Sequence, residues 1–415
     1  MPSATPEQLD RKVVPALVAM VLAVFVIAND ITALAVAFPD IERDFDAGVD
    51  TVQWVINAYA LIFGVLIVTG RRLADLFGRR RVFLIGSTIF AVFSLIAGIA
   101  PNVVWLIVAR AFMGIGGAMM WPAVLAMTFA VLPKSRSALA SGIVLGAAGF
   151  GNAAGPLLGG ILTDALSWRA ILYVNVPIAL VAGLATRRYI AESRQNTSDR
   201  SIDYAGVLTL SGGLIALLVA LDEGTDLGWG DPRILGLFGL CVLLLGSFVA
   251  IERRSTRAAL VPHDVFANRT FRMVCLAVLL MSVTFFSALM YLPQFMEKIL
   301  GWSALTAGLG LLPMMATFAV TAFFAGPLYE RVGAKRLLTV GALCLLTGAT
   351  LTAWAASSSS WAALVPGMAL LGLGVGLFLP SATTAGVAAI GEARSGLAGG
   401  LIYMFQVAGG PSVWR

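Results

Sequence analysis

The sequence predicts an all-α protein that crosses a membrane many times, and three observations carry that prediction. Of the 415 residues, 59% are hydrophobic and 12% charged, about half the charged share of an ordinary soluble domain. The charges are clumped, leaving uncharged stretches such as 51–70, 82–109, 273–296 and 337–391, each long enough for at least one crossing of about 20 residues. A stretch of sequence near residue 75 also recurs 255 positions later.

The first apolar run, 14–37, contains Asp30 and reads as a retained helix rather than a cleaved leader. Spans are then expected at 51–70, 82–100, 103–127, 138–162 and 169–187, with Pro101-Asn102 as a tight turn between the third and fourth. Two more follow at 204–221 and 234–251. The remainder is expected at 273–296, 305–327, 337–355 and 361–382, with Ser357–Ser360 as a turn, and a last span starts near Ser395. That makes twelve full spans and a thirteenth at the end of the chain.

Lys and Arg in short loops are retained on the cytoplasmic side. With the N-terminus inside, 22 of the 28 basic residues fall in inner segments, while the outer loops hold Arg43, Arg169, Arg233 and Lys298. The protein is therefore expected in the inner (plasma) membrane as a multi-pass protein with a cytoplasmic N-terminus. The net charge of +6 serves topology, and nucleic acid is not an expected partner. Cys241, Cys275 and Cys344 lie in apolar spans at no recurring spacing, and the single His263 has no companion ligand, so no metal or other cofactor is expected.

The repeat organises the chain. Arg71-Arg72-Leu73-Ala74-Asp75-Leu76-Phe77-Gly78-Arg79-Arg80-Arg81 and Gly326-Pro327-Leu328-Tyr329-Glu330-Arg331-Val332-Gly333-Ala334-Lys335-Arg336 share the Leu, the acid, the Gly and two basic positions. Two six-helix halves separated by a two-helix insert account for that offset. The expected divisions are 1–200 for the N-terminal half, 201–257 for the insert and 258–415 for an incomplete C-terminal half.

These residues resemble the major facilitator superfamily, and within it the fourteen-helix drug:proton antiporters. The resemblance rests on Asp30-Ile31-Thr32 with Phe38-Pro39, on Trp54 to Tyr59, and on Leu73-Ala74-Asp75-Leu76-Phe77-Gly78-Arg79-Arg80. It rests further on Arg110 to Gly117 and on Gly151-x-x-x-Gly155-Pro156-x-x-Gly159-Gly160. It departs at Arg71, Met113 and Ala35, where a Gly, a Gln and an Asn are usual. The resemblance implies proton-coupling roles for Asp30 and Arg110. It implies a cytoplasmic gating motif of Leu73, Asp75, Gly78, Arg79 and Arg80, in which Asp75 meets the start of a helix at Ser395-Gly396. It also implies an antiporter motif of Gly151, Gly155, Pro156, Gly159 and Gly160.

The residues support a reading of their own. Gly142, Gly146, Gly151, Gly155 and Gly159 recur at about one helical turn, forming a groove that admits another helix closely, either as ordinary packing or as an interface between halves. A charge deep in a span costs at least about 2.5–3.5 kcal/mol and so faces a cavity or a partner. Asp30 and Arg110 meet that description, as coupling residues or as a structural ion pair. Trp54, Tyr59, Trp121, Phe285, Phe286, Tyr291 and Phe295 are candidates to line a cavity for flat or cationic compounds.

The expectation is a monomeric secondary transporter, not an enzyme, that exports small hydrophobic or cationic compounds in exchange for protons. No phosphate-binding Gly-rich loop with a following Lys-Ser or Lys-Thr is present. The alternatives are an uptake symporter of the same fold and a non-transporting sensor or inactive remnant. Only 21 residues follow Arg394, one crossing, so the last core helix is expected to be missing and transport to be impaired.

Overall fold

The computed structural model describes residues 13–132, 137–194, 203–254, 263–391 and 394–409, and its regular elements are helices. The first group is α1 (Val13–Val36), α2 (Phe38–Phe45), α3 (Val49–Phe77), α4 (Arg79–Gly98), α5 (Val103–Val131), α6 (Ser137–Ala165) and α7 (Arg169–Tyr189). A pair follows, α8 (Tyr204–Leu227) and α9 (Pro232–Arg254). The last group is α10 (His263–Ala267), α11 (Arg269–Lys298), α12 (Ala304–Gly310), α13 (Leu312–Val332), α14 (Ala334–Ala356), α15 (Trp361–Ile390) and α16 (Ser395–Ala408).

Ten helices among the described residues are long and apolar enough to span a bilayer: α1, α3, α4, α5, α7, α9, α11, α13, α14 and α15. Their large exposed side chains are apolar, including Val242, Phe323 and Trp354, each more than 70% exposed. In water such a surface would drive aggregation; in hydrocarbon it is the matching solvent.

Three sequence expectations are corrected. The basic motif after the second span is not a loop: α3 runs on through Arg71–Phe77, and the break falls at Gly78 alone. A charge ends a hydropathy window but not a helical hydrogen-bond ladder, and Arg stems can lie along apolar surface. The span expected at 305–327 is two helices, α12 and α13, parted at Leu311. Pro313, at the start of α13, has no N–H to continue the ladder of α12. The segment after the first span, left outside any element by hydropathy, forms the short helix α2, with Pro39 in its first turn and Asp46 in the left-handed region (φ 48°) at its end.

The recurrence at 255 residues is a recurrence of structure. Gly78 (φ 109°) separates α3 from α4, and Gly333 (φ 84°) separates α13 from α14. Each donates its N–H four residues back, to Ala74 O at 3.1 Å and to Tyr329 O at 2.9 Å. Both breaks need a conformation that glycine enters without steric cost.

Packing follows from small residues. In the first group α5 lies between α3 and α4, and α1 between α6 and α7; in the last, α15 lies between α13 and α14. α8 and α9 pack on each other, and α8 touches α3. The groups meet through α6 against α12 and α13, α3 against α16, and α1 against α11.

Helix α6 carries the glycine motif. A Cβ on Gly151 would lie 2.9 Å from Phe25 O, and one on Gly159 would lie 2.9 Å from the carbonyl carbon of Ala33, both on α1. Gly155 faces Thr32. On the other flank, a Cβ on Gly160 would lie 2.8 Å from Ala304 O, and Pro156 O faces Gly308 of α12. Gly146, in contrast, has nothing within 4 Å of its Cβ position; the side chain at 142 lies outside the described residues.

Gly159→Leu should therefore force α1 and α6 apart, costing roughly 1–3 kcal/mol or more, and lower the unfolding temperature in detergent by several degrees. Gly146→Leu should leave it within about one degree, and thermal unfolding followed by circular dichroism separates the two.

Candidate functional site

Among the described residues, two fully buried charged side chains form an ion pair. Asp30 on α1 and Arg110 on α5 have fully inaccessible side chains, and Arg110 donates from one terminal nitrogen to Asp30 Oδ2. Its Nε donates to Val55 O at 2.9 Å, and its guanidinium carbon lies 4.4 Å from the centre of the Tyr59 ring. Asn175 on α7 donates to Asp30 Oδ1 at 2.7 Å, and Ser94 on α4 donates to Leu172 O at 2.7 Å beside it. Four helices thus converge on one carboxylate and one guanidinium, pairing charges that the bilayer interior would otherwise disfavour strongly, although the second terminal nitrogen of Arg110 has no hydrogen-bond partner among the described residues.

An open cavity lies between the two groups of helices. Trp121, Leu125 and Phe129 of α5 and Asn152 of α6 form one wall; Phe318 of α13, Thr383 of α15 and Tyr403 and Gln406 of α16 form the other. It sits nearer the end of the bundle where the basic residues cluster, since its α5 residues, Trp121, Leu125 and Phe129, lie in the second half of that helix and α16 leaves Arg394. Trp121 and Tyr403 stack across it with ring centres 4.2 Å apart.

Aromatic contacts join the ion pair to the cavity. Tyr59 stacks on Phe63 at 5.8 Å, and Phe63 meets Tyr403 edge-on at 5.3 Å and Trp121 at 6.3 Å. A continuous line of packed rings thus runs from Arg110 to the cavity wall.

At the end of the bundle away from the basic cluster, the groups are tied together by polar contacts. Lys298 of α11 pairs with Glu42 of α2 at 2.9 Å, and Leu305 N of α12 donates to Asp164 of α6 at 3.1 Å. Arg169 pairs with Asp44 at 2.5 Å. Desolvation raises the Asp40 carboxyl above its usual range, Arg43 opposing and Asp164 adding to the shift.

At the basic end, Asp75 is held between Arg71 (3.7 Å) and Arg79 (3.8 Å). The side chain of Ser395 and the surroundings of Gly396, the expected partners of Asp75, lie outside what is described. Glu192 accepts from the backbone N–H groups of Arg80 and Arg81, both at 3.1 Å, and so caps α4, while Arg80 donates to Ile190 O at 3.1 Å. A carboxylate at a helix N-terminus answers unpaired N–H groups and the helix dipole. Leu73 packs against the core.

Of the aromatic candidates for the cavity, Trp121 alone lines it. Tyr59 is buried over Arg110. Phe285 packs on Phe286 and, at 5.9 Å, on the cavity residue Phe318, so both stand behind the wall. Phe295 is half-buried against the core. Two expectations are corrected: Trp54 packs against the Leu61 and Val65 cluster of α3, which Leu214 and Ile215 of α8 also join, and Tyr291 is 42% exposed; neither lines the cavity. An aromatic residue in a span pattern carries no mark of which neighbour its face meets.

Sequence reasoning missed Asn175, Tyr403, Gln406, Asn152 and Glu192. Asn175 and Gln406 had a signal, as amides inside otherwise apolar runs; Glu192, more than 100 residues from its partners, had none. Among the described residues, no cluster of three or more His, Cys, Asp or Glu is placed to hold a metal ion.

Comparison with known proteins gives a consistent result. The family model described as Major Facilitator Superfamily matches residues 20–412. The chain is 32% identical over 398 residues to the tetracenomycin C resistance and export protein of Streptomyces glaucescens, covering 95% of this chain and 73% of that one. It is 34% identical over 400 residues to the puromycin resistance protein pur8 of Streptomyces alboniger, covering 95% and 79%. Among solved structures, the POT family transporter PepTSo superposes with a TM-score of 0.72 at 16% identity, over 99% of this chain and 89% of that one. A bacterial homologue of the lysosomal transporter Spinster gives 0.67 at 17%, over 97% and 81%.

Glu192→Gln should weaken the cap on α4, because a neutral amide presents one acceptor where the carboxylate presents two. A loss of about 1 kcal/mol is expected, read as faster hydrogen exchange at the Arg80 and Arg81 amides than at the start of α5, where Asn102 caps Trp105.

Proposed function

We propose that this chain, which belongs to the major facilitator superfamily, is a secondary active exporter that moves small hydrophobic or cationic compounds outward in exchange for protons. The observation that carries the proposal is the apolar, aromatic-walled cavity between two helix groups, joined by packed rings to a buried Asp–Arg pair. The names of the relatives, which are resistance and export proteins, support the direction of transport. In this reading residues 1–200 and 258–415 act as two halves and 201–257 as an insert. The N-terminus and the basic loops face the cytoplasm of a plasma-membrane protein, following the positive-inside rule.

The mechanism follows from the contacts. With Glu42–Lys298 and Asp164–Leu305 closing one end, substrate enters the cavity from the basic side. Opening the other end requires α6 to move against α12 and α13, and the side-chain-free faces of Gly160 and Gly308 let those backbones slide as smooth surfaces. When a proton neutralises Asp30, its ionic hold on Arg110 is lost and the guanidinium reorients beneath Tyr59. Phe63 transmits that shift to Trp121 and Tyr403. Asp75, between two arginines at the end of α3, and Glu192, on the first turn of α4, latch the basic end in the alternate state.

Transport of a fluorescent hydrophobic dye into inverted membrane vesicles, with and without an uncoupler, tests the proposal; uncoupler-insensitive accumulation would refute proton exchange. Asp30→Asn should reduce proton-driven uptake by at least about 100-fold while the protein still assembles, because Asn keeps the shape and an acceptor for Arg110. Arg110→Lys should fail nearly as severely, since one ammonium cannot serve both Asp30 and Val55 O in the geometry of the guanidinium. Asp75→Asn should slow turnover several-fold with dye binding unchanged, and equal turnover would remove Asp75 from the latch.

A further inference from the structure

We infer that the cavity selects uncharged, planar aromatic compounds over cations of the same shape. The inference rests on the exporter reading and narrows its substrate class.

Among the described residues that line the cavity, none carries a charge. The polar groups there are the amides of Asn152 and Gln406, the hydroxyls of Thr383 and Tyr403 and the indole of Trp121. Thr383 already donates to Leu379 O at 2.9 Å, so toward the cavity it offers only a lone pair. The amides can each donate to a carbonyl or accept from a hydroxyl. This is a set of partners for a neutral molecule with scattered polar atoms.

The buried carboxylate does not alter this balance. Asp30 is fully inaccessible, and its two oxygens are engaged by Arg110 and Asn175. Its charge is matched within the bundle, and Tyr59 and Phe63 stand between it and the cavity. A cation entering the cavity therefore gives up its hydration shell without gaining a counter-charge, which a low-dielectric wall makes costly. Attraction between a cation and an aromatic face offsets only part of that loss. The facing sides of Trp121 and Tyr403 are spent on each other, and their outer sides are as open to a neutral ring as to a cation, so stacking there gives the cation no advantage that restores its lost hydration.

A flat neutral ring system suffers no such penalty. It can lie along the outer faces of the Trp121–Tyr403 stack, with Phe129 and Phe318 at the edges of the same space and Asn152 and Gln406 placed to fix its polar atoms.

The test uses the purified full chain in detergent at neutral pH and calorimetric titration with two probes sharing one fused ring: phenanthridine, which is uncharged, and N-methylphenanthridinium, which is a fixed cation. Phenanthridine is expected to bind about tenfold or more tightly than the cation. Binding of the cation as tightly or more tightly overturns the inference, as does failure of phenanthridine to bind. Gln406→Glu is expected to shift the ratio toward the cation progressively as pH is raised and the new carboxylate ionises, and an unchanged ratio at high pH also overturns it. Trp121→Ala, with Trp121→Phe as the folding control, separates the two readings. If it weakens both probes while the cation binds as well as the neutral ring, the cavity stands and the selectivity falls. If it leaves both affinities unchanged, the cavity itself is not the binding site.

Discussion

The bundle depends on a single buried ion pair that four helices must assemble together. Asp30 and Arg110 are 80 positions apart, and each would separately disfavour its helix in hydrocarbon by at least about 2.5–3.5 kcal/mol. Placed in contact, and supplied with Asn175 and the carbonyl of Val55, they become a reason for α1, α3, α5 and α7 to adopt one arrangement. Apolar side chains in lipid provide little such direction, because the tails outside are as apolar as the core. The pair is thus the registration point of the first helix group.

Close packing elsewhere rests on missing side chains rather than on charge. On α6 the glycines remove side chains from two flanks at once, toward α1 at Gly151, Gly155 and Gly159 and toward α12 at Gly160. The break at Leu311, which lets α12 lean on Pro156 and Gly160, belongs to the same interface. An interface made mostly of backbone can shift without any side chain having to change rotamer, and it lies where the two helix groups meet.

The two ends of the molecule are held by different chemistry. The end with few basic residues closes through contacts between the groups, Glu42 with Lys298 and Asp164 with the first turn of α12. At the basic end, the described contacts of Asp75 and Glu192 lie within the first group, bracing α3 and α4. That asymmetry agrees with a cavity displaced toward the basic end, where Leu125, Phe129, Thr383 and Val387 line it.

The sequence by itself determined the class of the protein, most of its helices and the identity of its two deep charges, because hydrophobicity and charge are local properties that a bilayer reads residue by residue. It determined the repeat as well, since Gly78 and Gly333 each impose a break that only glycine accommodates readily. Tertiary structure alone decided which face of each helix meets which neighbour. Trp54 and Tyr59 share one helix and one aromatic character, yet the first joins the Leu61 and Val65 cluster that α8 also touches and the second covers Arg110. Tyr403 became a cavity wall, and Glu192 a cap on α4, through partners far away in the chain. In a span that is apolar all round, no periodicity marks an inside, so the direction a side chain points is set by packing between helices, which no local pattern records.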